Sequence, residues 1–129
     1  GAEEMDYGAV PGAIFTIPEV GNVGLTEAQA REAGVDVRAD SVLLRTLGKA
    51  QAMGELAGEI KLVSDRKSGR VLGVHIVGAH ATDLIAEGGL AVQNKLTVSQ
   101  VADTIHAHPT LGEAMFEVSL KAMDKALHG

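Results

Sequence analysis

Two apolar segments separated by a short polar turn constrain the fold of this chain most strongly. Apolar and polar side chains alternate in EIKLVS, residues 59–64, and RVLGVHIVG, residues 70–78, is a longer apolar run. Alternation with a period of two is typical of a strand that buries one face. The intervening DRKSG supplies turn-forming residues and ends in glycine. The pattern predicts a β-hairpin of two antiparallel strands.

Two upstream regions predict further strands. Residues 13–26, AIFTIPEVGNVGLT, suggest two short extended pieces interrupted by Pro18 and by Gly21-Asn22. Residues 35–44 predict a half-buried strand, because apolar and charged side chains alternate there. The apolar set is Val35, Val37 and Ala39, and the charged set is Asp36, Arg38 and Asp40. Residues 45–58 are assigned to a loop that contains possible helical turns.

Helix-start signals precede three of the four predicted helices. Thr26 to Gln29 and Thr97 to Gln100 have the spacing of capping boxes, and Gly34 is a plausible end of the first helix. Asp83 to Gln93 predicts another helix, with Leu84, Ile85, Ala91 and Val92 buried. Gly88 and Gly89 in its middle indicate that another backbone approaches closely.

The last helix, which follows residue 110, is apolar on two sides. One stripe contains Leu111, Met115, Val118 and Ala122, and the other contains Phe116, Leu120, Met123 and Leu127. A helix with two apolar faces usually packs on two surfaces, here its own sheet and a second subunit. Strands followed by helices predict an α+β domain, an antiparallel β-sheet with helices packed on it.

Length and composition exclude several classes of protein. A chain of 129 residues suits one domain, and its net charge of −6 argues against nucleic-acid binding. No apolar run reaches the roughly 20 residues of a membrane span, and no signal peptide opens the chain, so a cytoplasmic location is expected. Cysteine is absent, which excludes disulfides and a thiolate nucleophile within these residues.

Two histidines just before the last helix are the strongest candidates for chemistry. His106 and His108 are two residues apart, so both point to one face of an extended segment, and Glu113 could add an oxygen ligand to a metal there. No third strong ligand lies nearby in the sequence. The alternative for both histidines is a packing or surface role.

His108 differs from His106 because Pro109 follows it and restricts its backbone to the extended region. Thr110 and Glu113 have capping-box spacing, which alone would explain the glutamate. Glu113 would otherwise accept the imidazole N–H, fix the ring tautomer and make the other nitrogen a better general base. The spacing favours neither interpretation. Among the remaining histidines, we expect His75 to be a core or cross-strand residue, and His80 and His128 to be solvated.

The sequence lacks the other parts of a complete enzyme. It contains no G-x-G-x-x-G loop, no P-loop, no cysteine and no G-x-S-x-G elbow. The histidines are therefore structural, or another domain or chain completes the chemistry.

The segment HAHPTLGEA, residues 106–114, closely resembles the C-terminal signature of the dihydrolipoamide dehydrogenases. These enzymes are FAD-dependent pyridine nucleotide–disulfide oxidoreductases. Residues 10–27 resemble the start of that family's interface domain, and residues 58–87 resemble its middle. The resemblance implies a C-terminal dimerisation domain over residues 10–129, preceded by a linker or cloning remnant over residues 1–9.

The resemblance also implies roles for the site residues. His108 would be the acid–base residue that reaches the partner subunit's site, and Glu113 would orient it. His106 and Pro109 would lie near the partner's flavin through backbone contacts. The parent would bind FAD and NAD in upstream domains, with neither cofactor on this chain alone. It would form a homodimer and serve a 2-oxo acid dehydrogenase or glycine cleavage complex.

Two positions depart from the pattern expected of this family. Gly112 stands where serine is expected, and Asp83 stands where glutamate is frequent. Neither change affects His108 or Glu113. The equivalent domain of a glutathione reductase and a purely structural dimerisation module are the alternatives. A mercuric reductase would be expected to end in a cysteine pair, which this sequence lacks.

Overall fold

The computed structural model of the chain describes residues 10–15, 18–54 and 57–124. Five antiparallel strands form one sheet in the order β1-β2-β5-β4-β3, which confirms the predicted α+β class. The strands are β1 Gly12–Ile14, β2 Val20–Gly24, β3 Val37–Leu43, β4 Gly58–Asp65 and β5 Val71–Gly78. The α-helices are α1 Glu27–Glu32, α2 Gly48–Met53, α3 Ala81–Gln93, α4 Val98–Asp103 and α5 Glu113–Ala122.

The predicted hairpin forms the central strand pair of the sheet, β4 and β5. Residue Leu62 pairs with Val74, but Val63 pairs with Gly73 and Ser64 with Val71. Leu72 is therefore an extra residue in β5, a β-bulge that bends the strand. The bulge lets the Leu72 carbonyl accept a 3.0 Å hydrogen bond from the N–H of Leu25, just after β2.

Helices cover both faces of the sheet unequally. The face under α3, α4 and α5 carries the main core, which includes Val23, Val42, Ile60, Leu62, Val74, Ile76, Ile85, Met115 and Val118. The opposite face has a smaller cluster in which Ala30 of α1 packs with Val37 and Val63. The structure is thus a sheet with the short helix α1 on one face and the layer of α3, α4 and α5 on the other, with Ala50 of α2 also in the main core.

The interruption predicted at Gly21-Asn22 is wrong. Both residues lie inside β2, where they pair with Ile76 and His75 of β5. Gly21 is a glycine for another reason, because a Cβ there would lie 2.6 Å from the carbonyl oxygen of Ala81. The glycine permits α3 to begin directly against the strand.

The predicted alternation of β3 is also wrong in part. The most buried residues of the strand, Val37 and Val42, are five positions apart and so lie on opposite faces. Arg38 lies on the same face as Val42, and its guanidinium donates to Asp40 at 2.9 Å and to Asp124 after α5 at 2.6 Å. The charged face is therefore covered by the C-terminal end of α5.

Most of the predicted helix boundaries are confirmed. Thr26 with Gln29, and Thr97 with Gln100, form reciprocal capping boxes, and Gly34 follows α1 with φ +82°. Residues 44–53 contain a 3₁₀ turn and α2, the helical turns considered for that loop. Gly88 of α3 approaches the sheet, since a Cβ there would lie 3.0 Å from Val74. Among the described residues, every helix falls short of the length and apolar character that crossing a bilayer requires.

Two carboxylates fasten the helical layer to the sheet. Glu19 accepts bonds from the hydroxyl of Thr82 at 2.6 Å and from its N–H at 3.1 Å, and these bonds lower the pKa of Glu19 below its ordinary 4.5. The hydrogen bonds and positive charge of Arg38 lower the pKa of Asp124 below its ordinary 3.8. Both carboxyls therefore bind protons less readily in the folded chain than in the unfolded one.

We expect the free energy of unfolding to fall in acid because of these two groups. Their contribution is complete above about pH 5 and is lost as the pH falls through the lowered folded-state pKa values. Urea denaturation of the chain between pH 3 and 7 measures this loss. Glu19→Gln and Asp124→Asn each remove one contribution, so both variants should show a weaker pH dependence. An unchanged pH dependence in both variants would contradict the prediction.

Candidate functional site

The segment between α4 and α5, residues 104–112, carries both candidate histidines. The hydroxyl of Thr110 donates to the carbonyl of Ala107 at 2.6 Å, which closes the segment on itself. The next residue, Leu111, is 8% exposed and joins the main core. The segment is thus anchored at its end, while His108 and Pro109 remain exposed.

His108 and Glu113 form the predicted pair. Nδ1 of His108 lies 2.9 Å from Oε1 of Glu113, and the same oxygen accepts the N–H of Thr110 at 3.0 Å. The bond to His108 is therefore formed, and the same carboxylate oxygen makes one of the two bonds of a capping box. The capping box itself is only half formed, because α5 begins at Glu113 and the Thr110 hydroxyl is turned toward Ala107.

The pair leaves one ring nitrogen available. A carboxylate only accepts hydrogen bonds, so Glu113 requires a proton on Nδ1 of His108. The neutral ring then carries its lone pair on Nε2, which has no hydrogen-bond partner among the described residues. The side chain of His108 is 73% exposed, whereas that of Glu113 is 13% exposed. The arrangement exposes a nitrogen that can accept a proton, while the carboxylate that holds the ring is partly buried.

His106 lies against a carboxylate that the sequence analysis missed. Its Nε2 is 2.6 Å from Oε2 of Glu87 in α3, and its ring centroid is 5.6 Å from that of Phe116 in α5. The His106 side chain is only 9% exposed. Glu87 is 19 residues upstream, in α3, whereas His106 lies in the segment after α4. No rule of residue spacing predicts a contact between two such elements.

The two histidines do not converge on one metal site. Each ring binds a different carboxylate, His106 that of Glu87 and His108 that of Glu113. Within residues 10–15, 18–54 and 57–124, no three His, Cys, Asp or Glu side chains are grouped as a metal site would need. The geometry therefore favours two separate histidine–carboxylate pairs.

The other histidines are as predicted where the structure describes them. His75 is a cross-strand residue, with Nδ1 3.0 Å from Oδ1 of Asn22 and Nε2 2.9 Å from the carbonyl of Leu25. His80 is exposed and precedes α3. His128 lies outside the described residues.

The residues next to His108 in the chain are exposed or have backbone groups without a hydrogen-bond partner among the described residues. Ile105 is 97% exposed, and Pro109 is exposed as well. No hydrogen bond between described residues uses the backbone N–H or carbonyl of His106 or His108. Nε2 of His106 is bonded to Glu87 and its Nδ1 is buried, so an external group would meet this segment through its backbone.

The two stripes of α5 differ in burial. Leu111, Met115, Val118 and Ala122 are all buried in the main core. Phe116, Leu120 and Met123 are half-buried, and Leu127 lies outside the described residues. The first stripe therefore packs on the sheet as predicted, and the second leaves apolar surface available.

Comparison with known proteins identifies the family. The sequence profile described as "Pyridine nucleotide-disulphide oxidoreductase, dimerisation domain" matches residues 10–119. The chain belongs to this family. Dihydrolipoyl dehydrogenase of Chlamydia muridarum is 45% identical to this chain over 126 residues. The aligned residues make up 98% of this chain and 27% of the relative. That of Bacillus subtilis is 41% identical over 125 residues, 97% of this chain and 27% of the relative.

Solved structures agree with this assignment. LpdA from Mycobacterium tuberculosis has a TM-score of 0.87 and 29% identity, and the match covers 94% of this chain and 26% of LpdA. The HOCl-induced flavoprotein disulfide reductase RclA from Escherichia coli, in its Cu(II) complex, has a TM-score of 0.81 and 28% identity over 86% of this chain and 25% of RclA. The predicted relationship to dihydrolipoamide dehydrogenases is confirmed. This chain spans about a quarter of the length of these relatives.

Proposed function

We propose that this domain supplies His108 as an acid–base residue to the partner subunit's site in an enzyme that oxidises dihydrolipoamide with NAD⁺. One observation carries the proposal. The Nδ1 of His108 is held by Glu113 at 2.9 Å, while the ring projects outward from a domain of a dimerisation family. A base placed in this way serves a reaction whose other components lie outside these residues.

The chemistry requires a proton transfer that His108 is suited to perform. A dithiol attacks a disulfide only as a thiolate, and a free thiol has a pKa of about 8.5. Nε2 of His108 takes the proton from the substrate thiol, and Glu113 stabilises the resulting imidazolium through Nδ1. The thiolate sulfur then bonds to one disulfide sulfur and expels the other as a thiolate. His108 holds the proton until the expelled thiolate or solvent takes it.

The cofactors of the parent, in this proposal, are FAD and NAD in upstream domains. When bound, FAD and NAD would supply the redox chemistry that accepts the electron pair released by the dithiol. This chain would support those groups through its backbone, because no hydrogen bond between described residues uses the backbone groups of His106 and His108, and Pro109 is exposed beside them. The isolated chain should be catalytically inactive, since it contains no cysteine to form the disulfide.

The proposed partner is a second copy of the same subunit. The half-buried stripe of α5, with Phe116 and Leu120, supports this because it offers apolar surface on the helix that also carries Glu113. Dimerisation through this helix would bring His108 to the neighbouring subunit. The parent would in turn serve a 2-oxo acid dehydrogenase or the glycine cleavage system.

A second candidate is the equivalent domain of a related disulfide reductase. The likeness to RclA favours it, because that protein is described as a flavoprotein disulfide reductase. Turnover of the full-length enzyme with dihydrolipoamide and NAD⁺, compared with glutathione disulfide and a reduced nicotinamide nucleotide, distinguishes the two candidates.

A mixed dimer tests whether His108 acts across the interface. One full-length subunit carries His108→Gln, and the other carries serine at both redox cysteines. If His108 acts in trans, one of the two sites receives intact cysteines from the first subunit and His108 from the second. We expect about half of the wild-type activity per purified mixed dimer.

The two parental homodimers are the controls, and both should be nearly inactive. A mixed dimer no more active than these controls would show that His108 does not act in trans. Full activity of the His108→Gln homodimer would instead support a purely structural dimerisation module.

A further inference from the structure

We propose that Glu87 and His106 form a positioning pair that holds the 105–109 segment in place and thereby sets the position of His108. The pair itself is a matter of geometry, and only its effect on turnover rests on the function proposed above. Neither residue needs to touch substrate. Their role is to fix the backbone that carries the base.

A short bond joins two elements far apart in sequence. Nε2 of His106 lies 2.6 Å from Oε2 of Glu87, slightly closer than the roughly 2.7–2.9 Å typical of N–H donors in charge-assisted hydrogen bonds. The His106 side chain is 9% exposed, so water competes weakly for its ring, whereas Glu87 is 31% exposed and stays partly solvated. The bond ties the segment before α5 to the middle of α3.

The bond to Glu87 is the main polar restraint on the His106 ring. Nδ1 of His106 is buried and has no hydrogen-bond partner among the described residues. A cavity of about 220 Å³ adjoins the pair, lined in part by Ala91, Val101 and Thr104. Packing on that side is therefore incomplete, and the ring is held by Glu87 and by its contact with Phe116.

Helix α5 contacts the rings of both histidines. Glu113 binds His108, and Phe116, three residues later, contacts the ring of His106. Residues three apart in a helix are neighbours on one face. Because α3 supplies Glu87 from the other side, a shift of His106 would move the backbone of His108 relative to Glu113.

Replacement of Glu87 tests the proposal in this chain and in the full-length enzyme. NMR of the 129-residue chain reports on the segment through the ring resonances of His108 and the contact between His106 and Phe116. In Glu87→Ala, we expect the His106–Phe116 contact to be lost and the His108 resonances to shift or broaden. In the enzyme, kcat should fall about 10- to 100-fold with KM within about twofold, as expected for a displaced catalytic group.

Two comparison variants separate positioning from general damage. Glu87→Gln retains an oxygen acceptor for Nε2–H and should recover most of the lost kcat. Asp83→Asn removes another carboxylate from α3, an 84% exposed one 3.9 Å from His80, and should behave as wild type. Melting temperature, FAD content and dimer formation should stay near wild type in all three variants.

Unchanged His108 resonances and an intact His106–Phe116 contact in Glu87→Ala would overturn the proposal. A fall in kcat that tracks a fall in melting temperature, without recovery in Glu87→Gln, would also overturn it. Retained turnover in His108→Gln would refute the proposed function alone, and the NMR result would still decide whether the pair holds the segment.

Discussion

Replacing His108 by glutamine in the full-length enzyme will lower kcat for dihydrolipoamide oxidation by about 10²- to 10⁴-fold, the usual contribution of a general base. Glutamine keeps a polar side chain of similar length but has no basic nitrogen to take the thiol proton. The side chain of His108 is 73% exposed, so its replacement removes little packing and the fold should be retained. Steady-state turnover at saturating substrate, with FAD content measured in the same samples, checks this result.

Two further variants locate the effect. His80→Gln removes an exposed histidine elsewhere on the domain and should retain wild-type turnover. Glu113→Gln retains an acceptor for Nδ1–H but loses the charge that stabilises the imidazolium, so its loss should be smaller than that of His108→Gln. Normal turnover in His108→Gln at full FAD content would show that the His108–Glu113 pair is structural.

The parts of the fold that could be predicted depend on neighbours in sequence. The two capping boxes are bonds across three residues, and the β4–β5 hairpin is closed by a turn of five. Such interactions are encoded by residue type and spacing, because the chain between the partners is too short to permit many alternatives.

The parts that could not be predicted depend on contacts between distant elements. The alternation in β3 indicated a solvent-facing charged side, yet Asp124, 86 residues later, covers Arg38. At the site, Glu113 lies within reach of His108 along the chain and was identified, whereas Glu87 reaches His106 only because α3 packs beside the segment. A candidate pair can thus be inferred from sequence, but the group that holds it in place requires the tertiary structure.

Gly73 lies so close to Leu25 that adding a methyl group at Gly73 should cause the largest loss of stability of any such substitution. A Cβ on Gly73 would lie 1.9 Å from the carbonyl oxygen of Leu25, far inside van der Waals contact. Gly73→Ala must therefore push the end of β2 away from β5. That movement would weaken the bond from Leu25 N–H to Leu72 and the bond between Leu25 and His75. We expect a loss of about 3 kcal/mol in the free energy of unfolding, at the upper end for overpacking by one methyl.

Urea denaturation of Gly73→Ala followed by circular dichroism measures this loss. Gly48→Ala is the matched control, because a Cβ at this exposed position at the start of α2 would meet no atom within 4 Å. That variant should be as stable as wild type or about 0.5 kcal/mol more stable, since alanine reduces the entropy of the unfolded chain. The comparison separates the loss of glycine flexibility, which both variants share, from the backbone collision, which only Gly73→Ala introduces. Equal stability of the two variants would mean that β2 and β5 do not approach each other as closely at Leu25 as the structure indicates.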